Sequence, residues 1–339
     1  MTHQQETNLW GLVEALAGIR RAERLLAAVT VPLELLTPKA PRVTRAQLAM
    51  ALNLFLFEDL LRRVPQAQAY VGDRVAAGAK VVFDHGALRT VQAPSGLLPR
   101  GVAAFSRILE PLGYRRAELY PLERLAMVGH AYVHRDLPEG VPQFFLSELD
   151  PGRFSEPFQA AVARTLASSQ DPLPPWSHSL LEELGASGSL PQDQALRLLP
   201  DLVAGFSRQH AAPLLEDYRI LLAESPEMAW IATEGSTFNH VTDRVANVEA
   251  LAAEQKALGR PMKAAVEISA SGRVLQTAFL APLTECVLIG AQGHGEVTAV
   301  PGSFYEFITR KPLPDGRLDL RFDSGNAQAI FKMTAPAGS

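Results

Sequence analysis

The stretch Phe83-Asp-His-Gly-Ala-Leu-Arg-Thr90 follows a pair of valines, and together they predict a β-strand over 81–91. Side chains four residues apart on a strand project from the same face, so we expect His85 and Arg89 to share one face of a sheet. An imidazole can bind a metal ion, and a guanidinium can bind a carboxylate through two hydrogen bonds. The stretch therefore predicts a metal site beside a binding group for a small acidic ligand.

The pattern around this strand occurs twice. The strand is followed by a predicted helix at 101–109 and by strands at 114–120, 125–134 and 141–149. The same order recurs as an extended segment at 230–242, a helix at 244–258 and strands at 263–269, 274–280 and 303–311. The copies share a pattern and no visible sequence identity. We expect an α+β fold in which paired βαβββ modules form a curved, partly closed sheet around a metal site.

Helical periodicity dominates the remaining sequence. Near the N-terminus, Asn8 is the expected cap of a first helix, and Thr44 with Gln47 forms a capping box for a longer one. Helical spacing returns over 155–222. The chain is thus divided into an N-terminal helical segment (1–78), a first βαβββ module (79–150), a helical insertion (151–228) and a second module with the C-terminal segment (229–339).

Composition narrows the possible partners and compartment. The 339 residues are 47% hydrophobic and 20% charged with a formal net charge of -4, so we expect no nucleic-acid partner. The single cysteine, Cys286, is expected to be buried and favours a reducing compartment. The N-terminus lacks a signal-peptide pattern, and polar residues interrupt the most apolar stretch, 274–290. These features predict a cytoplasmic protein without a membrane span.

Further metal ligands follow if the two modules pair. His240 lies on the first strand of the second module, in the position that His85 has in the first. Glu306 lies in an otherwise aromatic and β-branched strand, where a carboxylate is costly to bury unless it is paired or bound to a metal. Two histidines and one carboxylate form the facial arrangement of non-haem Fe(II) sites. Asp84 and Asn239, next to the histidines, are expected to point to the opposite face and to have structural roles.

Other interpretations stay open at this point. Glu306 could pair with Arg310 or Arg321 instead of a metal. A second histidine pair, His130 and His134, also shares a strand face, although the sequence offers it no comparable acidic partner. The remaining histidines are expected at the surface: His3, His178, His210 and His294.

Three short motifs resemble a known family. They read His85-Gly-Ala-Leu-Arg89, Phe238-Asn-His-Val-Thr242 and Tyr305-Glu-Phe-Ile308, and they occur in the order typical of that family. The chain is similar to the 2-oxoadipate dioxygenase/decarboxylase (hydroxyglutarate synthase) family, a branch of the vicinal oxygen chelate, or glyoxalase-like, superfamily.

The resemblance implies specific roles. Fe(II) would be held by His85, His240 and Glu306, and Arg89 would bind a substrate carboxylate. Asn326, in a small-residue stretch before an Ile-Phe pair, would contact the substrate. The implied reaction uses dioxygen to convert a small 2-oxo acid, 2-oxoadipate, into 2-hydroxyglutarate and CO2. Two alternatives remain: a glyoxalase-type isomerase or lyase that uses Zn or Ni, and a non-catalytic small-molecule binding protein.

Overall fold

The computed structural model describes residues 6–322 of the chain. Its α-helices over this range are α1 Asn8–Ala17, α2 Ile19–Ala28, α3 Arg45–Arg63, α4 Pro65–Ala76, α5 Ala103–Leu109, α6 Glu156–Leu166, α7 Pro175–Ser187, α8 Gln192–Ala204, α9 Leu215–Glu224, α10 Pro226–Glu234 and α11 Val248–Ala257. Its strands are β1 Arg42–Thr44, β2 Phe83–Val91, β3 Tyr114–Leu122, β4 Met127–His134, β5 Gln143–Leu149, β6 Ser189–Pro191, β7 His240–Arg244, β8 Glu267–Ile268, β9 Val274–Ala278, β10 Leu283–Ile289, β11 Gly295–Pro301 and β12 Phe304–Arg310.

Eight strands form one curled sheet in the order β3-β4-β5-β2-β7-β12-β9-β8. The first strands of the two modules, β2 and β7, pair antiparallel at its centre. Each of them also pairs in parallel with the fourth strand of its own module, β5 or β12. The two halves of the sheet therefore have the same strand order from the centre to the edge, which confirms the prediction of an α+β fold built from paired βαβββ modules.

The two faces of the sheet have different neighbours. On β2, Leu88 points into the main hydrophobic core, where it joins Phe57 of α3 and Phe144 of β5. Side chains alternate along a strand, so Arg89 points to the opposite side. We call the side that carries Leu88 and packs on α3 the helix face and the side that carries Arg89 the inner face.

The N-terminal helices share one hydrophobic core with α7 and α8 of the insertion, whereas α6, α9 and α10 belong to a second cluster with Val91 and Leu149 of the sheet. Strand β1, just before α3, pairs with β6, just before α8, and this pairing ties the two helical segments together. The predicted capping box of α3 is present, with Thr44 and Gln47 bonded reciprocally. The prediction for α1 was wrong by one residue: Thr7 caps the helix, whereas the Asn8 side chain bonds to the backbone of Ala40 and Arg42.

The second module departs from the prediction in three places. The strand predicted at 263–269 is present only as the two-residue β8. The segment predicted as extended from 230 begins inside α10, whose N-terminus has a serine cap at Ser225 and proline at its first position. The extended part begins only at β7. The hairpin of β10 and β11 was not predicted; it forms a separate two-stranded sheet that buries Leu288 and Val300 against the inserted helices. Cys286, on this hairpin, is only partly buried.

Among residues 6–322, none of the helices combines the length and the apolar character that crossing a membrane requires.

Candidate metal centre

Three predicted ligands meet on the inner face. His85 lies on β2, His240 on β7 and Glu306 on β12, and each is at most 7% exposed. Both His85 and Glu306 pair in register with Thr242 of β7, so that the central strands bring them together. The Nε2 atoms of His85 and His240 lie 3.5 and 3.6 Å from Oε2 of Glu306. One potential ligand atom from each of the three residues lies within 4.8 Å of the others.

The donor set fits a divalent cation. Ligands at about 2.1 Å from one ion stand roughly 3–4 Å apart, which matches both His–Glu separations. Oε2 of Glu306 accepts a hydrogen bond of 2.5 Å from the Thr242 hydroxyl. Oε1 is buried and has no hydrogen-bond partner among residues 6–322. A buried carboxylate oxygen without a donor is costly, and a cation bound by the carboxylate would offset that cost.

The residues that precede the two histidines orient them. Nδ1 of His85 lies 2.8 Å from Oδ1 of Asp84, and Nδ1 of His240 lies 3.2 Å from Oδ1 of Asn239. If Nδ1 carries the proton in each ring, the lone pair on Nε2 is available to a metal. The prediction that Asp84 and Asn239 face away from the site was therefore wrong.

A β-bulge explains the first of these contacts. The register between β2 and β7 shifts between Phe83 and His85, so Asp84 is an extra residue in its strand. Phe83 packs on the helix face against Phe57, and the bulge places Asp84 beside the imidazole that follows it. Asn239 precedes the first residue of β7, so the alternation of side chains along that strand does not determine where it points.

Burial and neighbouring charges shift the pKa values of the two imidazoles in opposite directions. Burial lowers the pKa of His240 to about 3, so its ring is neutral, as a ligand must be. Burial also lowers the pKa of His85, but hydrogen bonds with Asp84 and Glu306 raise it, and the pKa ends above its ordinary value. A cation that binds Nε2 of His85 would take the place of a proton.

Glu306 pairs with neither arginine that the sequence offered as an alternative. The Arg310 guanidinium binds Asp84 instead, and Arg321 binds Asp319. Burial raises the pKa of Glu306, but the hydrogen bond with His85 and the two nearby imidazoles outweigh it and lower the pKa overall. The carboxylate therefore stays ionised and is directed toward the histidines.

Arg89 lies on the same face and is 1% exposed. Its guanidinium carbon lies 5.1 Å from the centre of the Trp230 ring, within cation–π range. Burial lowers the pKa of Arg89 to about 10, opposed by the charge of Glu227, so the side chain is still positive at neutral pH. In the register, Ala87 pairs with His240 and Arg89 lies two residues beyond, roughly 6.6 Å further along the strand.

The second histidine pair is not part of this site. On β4, His130 and His134 project toward the helix face, since each alternates with residues that share the inner face with Arg89. His134 is held by backbone groups of Leu112, Asp136 and Leu137. His130 does have an acidic neighbour, Glu148 at 3.7 Å, which the sequence did not indicate.

Several side chains around the centre were not predicted. Thr242 bridges the ligands, the ring of Phe304 stacks on His240 at 4.7 Å, and the ring of Phe322 meets His85 edge-on at 4.8 Å. Phe322 lies 237 positions from His85, and no local pattern links them. His210, expected at the surface, is buried between backbone carbonyls. The predicted substrate contact Asn326 lies outside the described residues.

Comparisons with known proteins identify the family of the chain. A family model described as 2-oxoadipate dioxygenase/decarboxylase matches residues 57–330. The chain belongs to this family. A solved protein of Ralstonia eutropha, assigned to the glyoxalase superfamily, is 52% identical with a TM-score of 0.89, covering 93% of this chain and 98% of its own. None of the curated proteins compared with the chain matches it.

Two more distant structures of this family show the same fold. The hydroxyglutarate synthase of Oryza sativa, solved with 2-oxoadipate, has a TM-score of 0.67 at 18% identity, covering 88% of this chain and 97% of its own. The hydroxyglutarate synthase of Pseudomonas putida, also solved with 2-oxoadipate, has a TM-score of 0.58 at 19% identity, covering 87% of this chain and 74% of its own. The α+β fold with its curled eight-stranded sheet is consistent with the vicinal oxygen chelate fold.

Proposed function

We propose that this protein is an Fe(II)-dependent dioxygenase that oxidatively decarboxylates a 2-oxo diacid, with 2-oxoadipate as the expected substrate. One observation carries the proposal: two oriented imidazoles and a buried carboxylate converge on the face that also presents a buried arginine. The family match and the 2-oxoadipate bound to two distant relatives support the choice of substrate.

The proposed ligands are His85, His240 and Glu306. Fe(II) bound there would supply the redox chemistry that activates dioxygen and open positions for a 2-oxo acid. Asp84 and Asn239 would fix the ring orientation of the two histidines, and Thr242 would hold the glutamate. The three proposed ligands, Asp84 and Thr242 lie on strands of the central sheet, and Asn239 directly precedes β7, so we expect the site to be formed before metal binds.

Arg89 would fix the substrate by its far end. A guanidinium binds a carboxylate through two hydrogen bonds, and burial strengthens that interaction because water does not compete. The spacing of roughly two strand residues between His240 and Arg89 suits a diacid whose carboxylates lie several bonds apart. Trp230 would support the guanidinium from one side. Asn326, before the Ile-Phe pair, is proposed as a further contact with the substrate.

The reaction balances without another reductant. In 2-oxoadipate the bond between C1 and C2 breaks, and C1 leaves as CO2. One oxygen atom of O2 enters the new carboxylate at C2, and the other becomes the hydroxyl on C3. The four electrons that O2 accepts come from the substrate itself, and the product is 2-hydroxyglutarate.

An anaerobic reconstitution tests the proposal. Protein loaded with Fe(II) without air would be mixed with 2-oxo mono- and diacids and then with oxygen, while O2 uptake and CO2 release are measured. We expect one CO2 per O2, with diacids as the preferred substrates. Glu306→Ala should lose both stoichiometric iron and turnover.

Two results would contradict the proposal. Turnover of a glyoxalase-type substrate without oxygen, supported by Zn(II) or Ni(II), would favour a glyoxalase-type isomerase or lyase, because one fold can host different chemistries. Failure to bind metal, together with binding of a 2-oxo acid, would indicate a non-catalytic binding protein.

A further inference from the structure

A segment after the last strand crosses the metal centre. We call residues 312–322 the strap. It leaves the second module at the end of β12, yet its backbone is held by the first module: Gln143 donates to the carbonyl of Leu320, and the amide of Phe322 donates to the Tyr120 hydroxyl. The strap thus joins the two halves of the sheet on the inner face.

Arg310, at the end of β12, contacts both the strap and the metal centre. One edge of its guanidinium binds the Asp84 carboxylate through Nε and Nη2, at 2.9 and 2.8 Å. Nη1 donates to the carbonyls of Asp319 and Arg321 in the strap, at 2.8 and 2.9 Å. The side chains of Arg310 and Asp84 are 0% and 1% exposed, so water does not weaken these bonds.

Phe322 completes this connection. Its ring lies 5.4 Å from the guanidinium carbon of Arg310 and 4.8 Å from the His85 ring. It also packs on Tyr120 and Phe145, which belong to the first module. Phe322, at the end of the strap, therefore covers one side of the His85 ring, a proposed metal ligand. Asp84 contacts Nδ1 of the same ring.

We propose that Arg310 is a positioning residue that couples docking of the strap to metal binding by His85. Through Asp84 it sets the orientation of the imidazole, and through the strap carbonyls it keeps Phe322 against the same ring. The inference rests on the proposed metal site and does not depend on the identity of the substrate.

The coupling has a thermodynamic consequence. If strap docking improves the orientation of His85, a docked strap raises metal affinity, and bound metal must favour the docked strap by the same factor. Removing Arg310 should weaken both effects together. Partners that orient metal-ligating histidines typically change metal affinity by about 10- to 100-fold.

The test uses Co(II) as the probe and the full chain. Co(II) affinity would be measured by competition with a chelator, the coordination by its visible absorption, and strap docking by hydrogen exchange of peptides from 312–322. In the wild type we expect Co(II) to slow exchange in the strap. In Arg310→Met we expect Co(II) binding at least tenfold weaker, an altered absorption spectrum and faster exchange that Co(II) does not slow.

Two further variants separate a loss of coupling from unfolding of the chain and from a general effect of changing the strap. Arg310→Met leaves Asp84 as a buried charge and could unfold the chain, so the double variant Asp84→Asn with Arg310→Met removes both charges and should behave like the single variant. The matched control is Arg317→Ala, because Arg317 is in the same strap, pairs only with Asp315 in the described residues and has a side chain that is 75% exposed. It should match the wild type in every readout.

The possible failures are distinguishable. Wild-type Co(II) affinity and spectrum in both Arg310→Met variants would overturn this inference, even if strap exchange became faster, because Arg310 would then only fasten the strap. A wild-type protein that bound no Co(II) would contradict the proposed function as well.

Discussion

At the scale of single residues, Arg89 carries a positive charge where water is almost excluded. Such a guanidinium should bind a carboxylate in a way that lysine does not reproduce, because lysine lacks two parallel donors. We predict that Arg89→Lys lowers kcat/KM for a 2-oxo diacid by about 10- to 100-fold, the loss expected for hydrogen bonds to a charged group.

The matched substrate makes this prediction specific. A 2-oxo monoacid of the same length has no distal carboxylate, so its kcat/KM should change much less in Arg89→Lys, and Fe(II) should still bind stoichiometrically. An equal loss with both substrates would place Arg89 outside substrate recognition.

His134 makes the stability of the fold depend on pH. Burial lowers its pKa, and Nδ1 accepts hydrogen bonds from the backbone amides of Asp136 and Leu137. In the folded state, Nδ1 therefore cannot take up a proton without losing these two bonds. In the unfolded chain a histidine takes up a proton near pH 6.5. The free energy of unfolding should therefore fall as the pH drops below about 6.5, and this contribution is absent above it.

Denaturant unfolding of wild type and His134→Gln between pH 7.5 and 5 measures this effect. The stability difference between them should shrink as the pH falls, since only the wild type loses stability through this imidazole. A constant difference across the range would show that His134 is not responsible.

The proposed metal ligands were easier to predict from the sequence than the residues that contact and orient them. Metal-binding side chains stand out chemically, and the pairing of modules brought His85, His240 and Glu306 together as predicted. The roles of Asp84 and Arg310 could not be predicted, because a bulge and a contact across 226 positions create their salt bridge.

At the scale of elements, the packing of β2 against the helix face requires glycine at position 86. An added Cβ on Gly86 would lie 2.2 Å from Phe238 Cζ, and Phe238 is completely enclosed between β2 and the helices. We predict that Gly86→Ala destabilises the protein by about 1–3 kcal/mol, the usual cost of overpacking a core. Because Phe238 lies two residues before His240, metal affinity should fall as well.

Gly72→Ala is the control. Gly72 lies in α4 with nothing within 4 Å of an added Cβ, so alanine there should leave stability unchanged or raise it by about 0.5–1 kcal/mol. Thermal unfolding compares the two variants, and a Gly86→Ala protein as stable as Gly72→Ala would refute the packing argument.

Local periodicity predicted most elements and failed where tertiary contacts decide. The strands of the first module lie close to their predicted positions. In the second, the segment predicted as extended from 230 begins inside α10. The start signals of that helix, Ser225 and Pro226, are present in the sequence, but the prediction did not use them. The boundaries drawn at 78/79, 150/151 and 228/229 stay a prediction.

At the scale of the whole molecule, the proposed ligands come from both modules. A cation bound by β2, β7 and β12 would therefore crosslink the two halves of the sheet. We predict that a divalent metal raises the thermal midpoint of the wild type by several degrees, since saturation at 100 times Kd adds about 2.7 kcal/mol. Differential scanning calorimetry should find no such rise in Glu306→Ala.

The sequence predicted this molecular plan through a repeat of pattern, because a module that cannot close its own sheet must pair with another. It could not predict that the strap returns from the second module to the first. That path depends on hydrogen bonds to the strap backbone, which no side-chain pattern encodes.

The most direct measurement is anomalous diffraction at the iron edge, on crystals of protein reconstituted with Fe(II) without air. We predict one strong anomalous peak, at about 2.0–2.2 Å from Nε2 of His85, Nε2 of His240 and a carboxylate oxygen of Glu306. A map without a peak between these three side chains, or with iron bound elsewhere, would contradict the account.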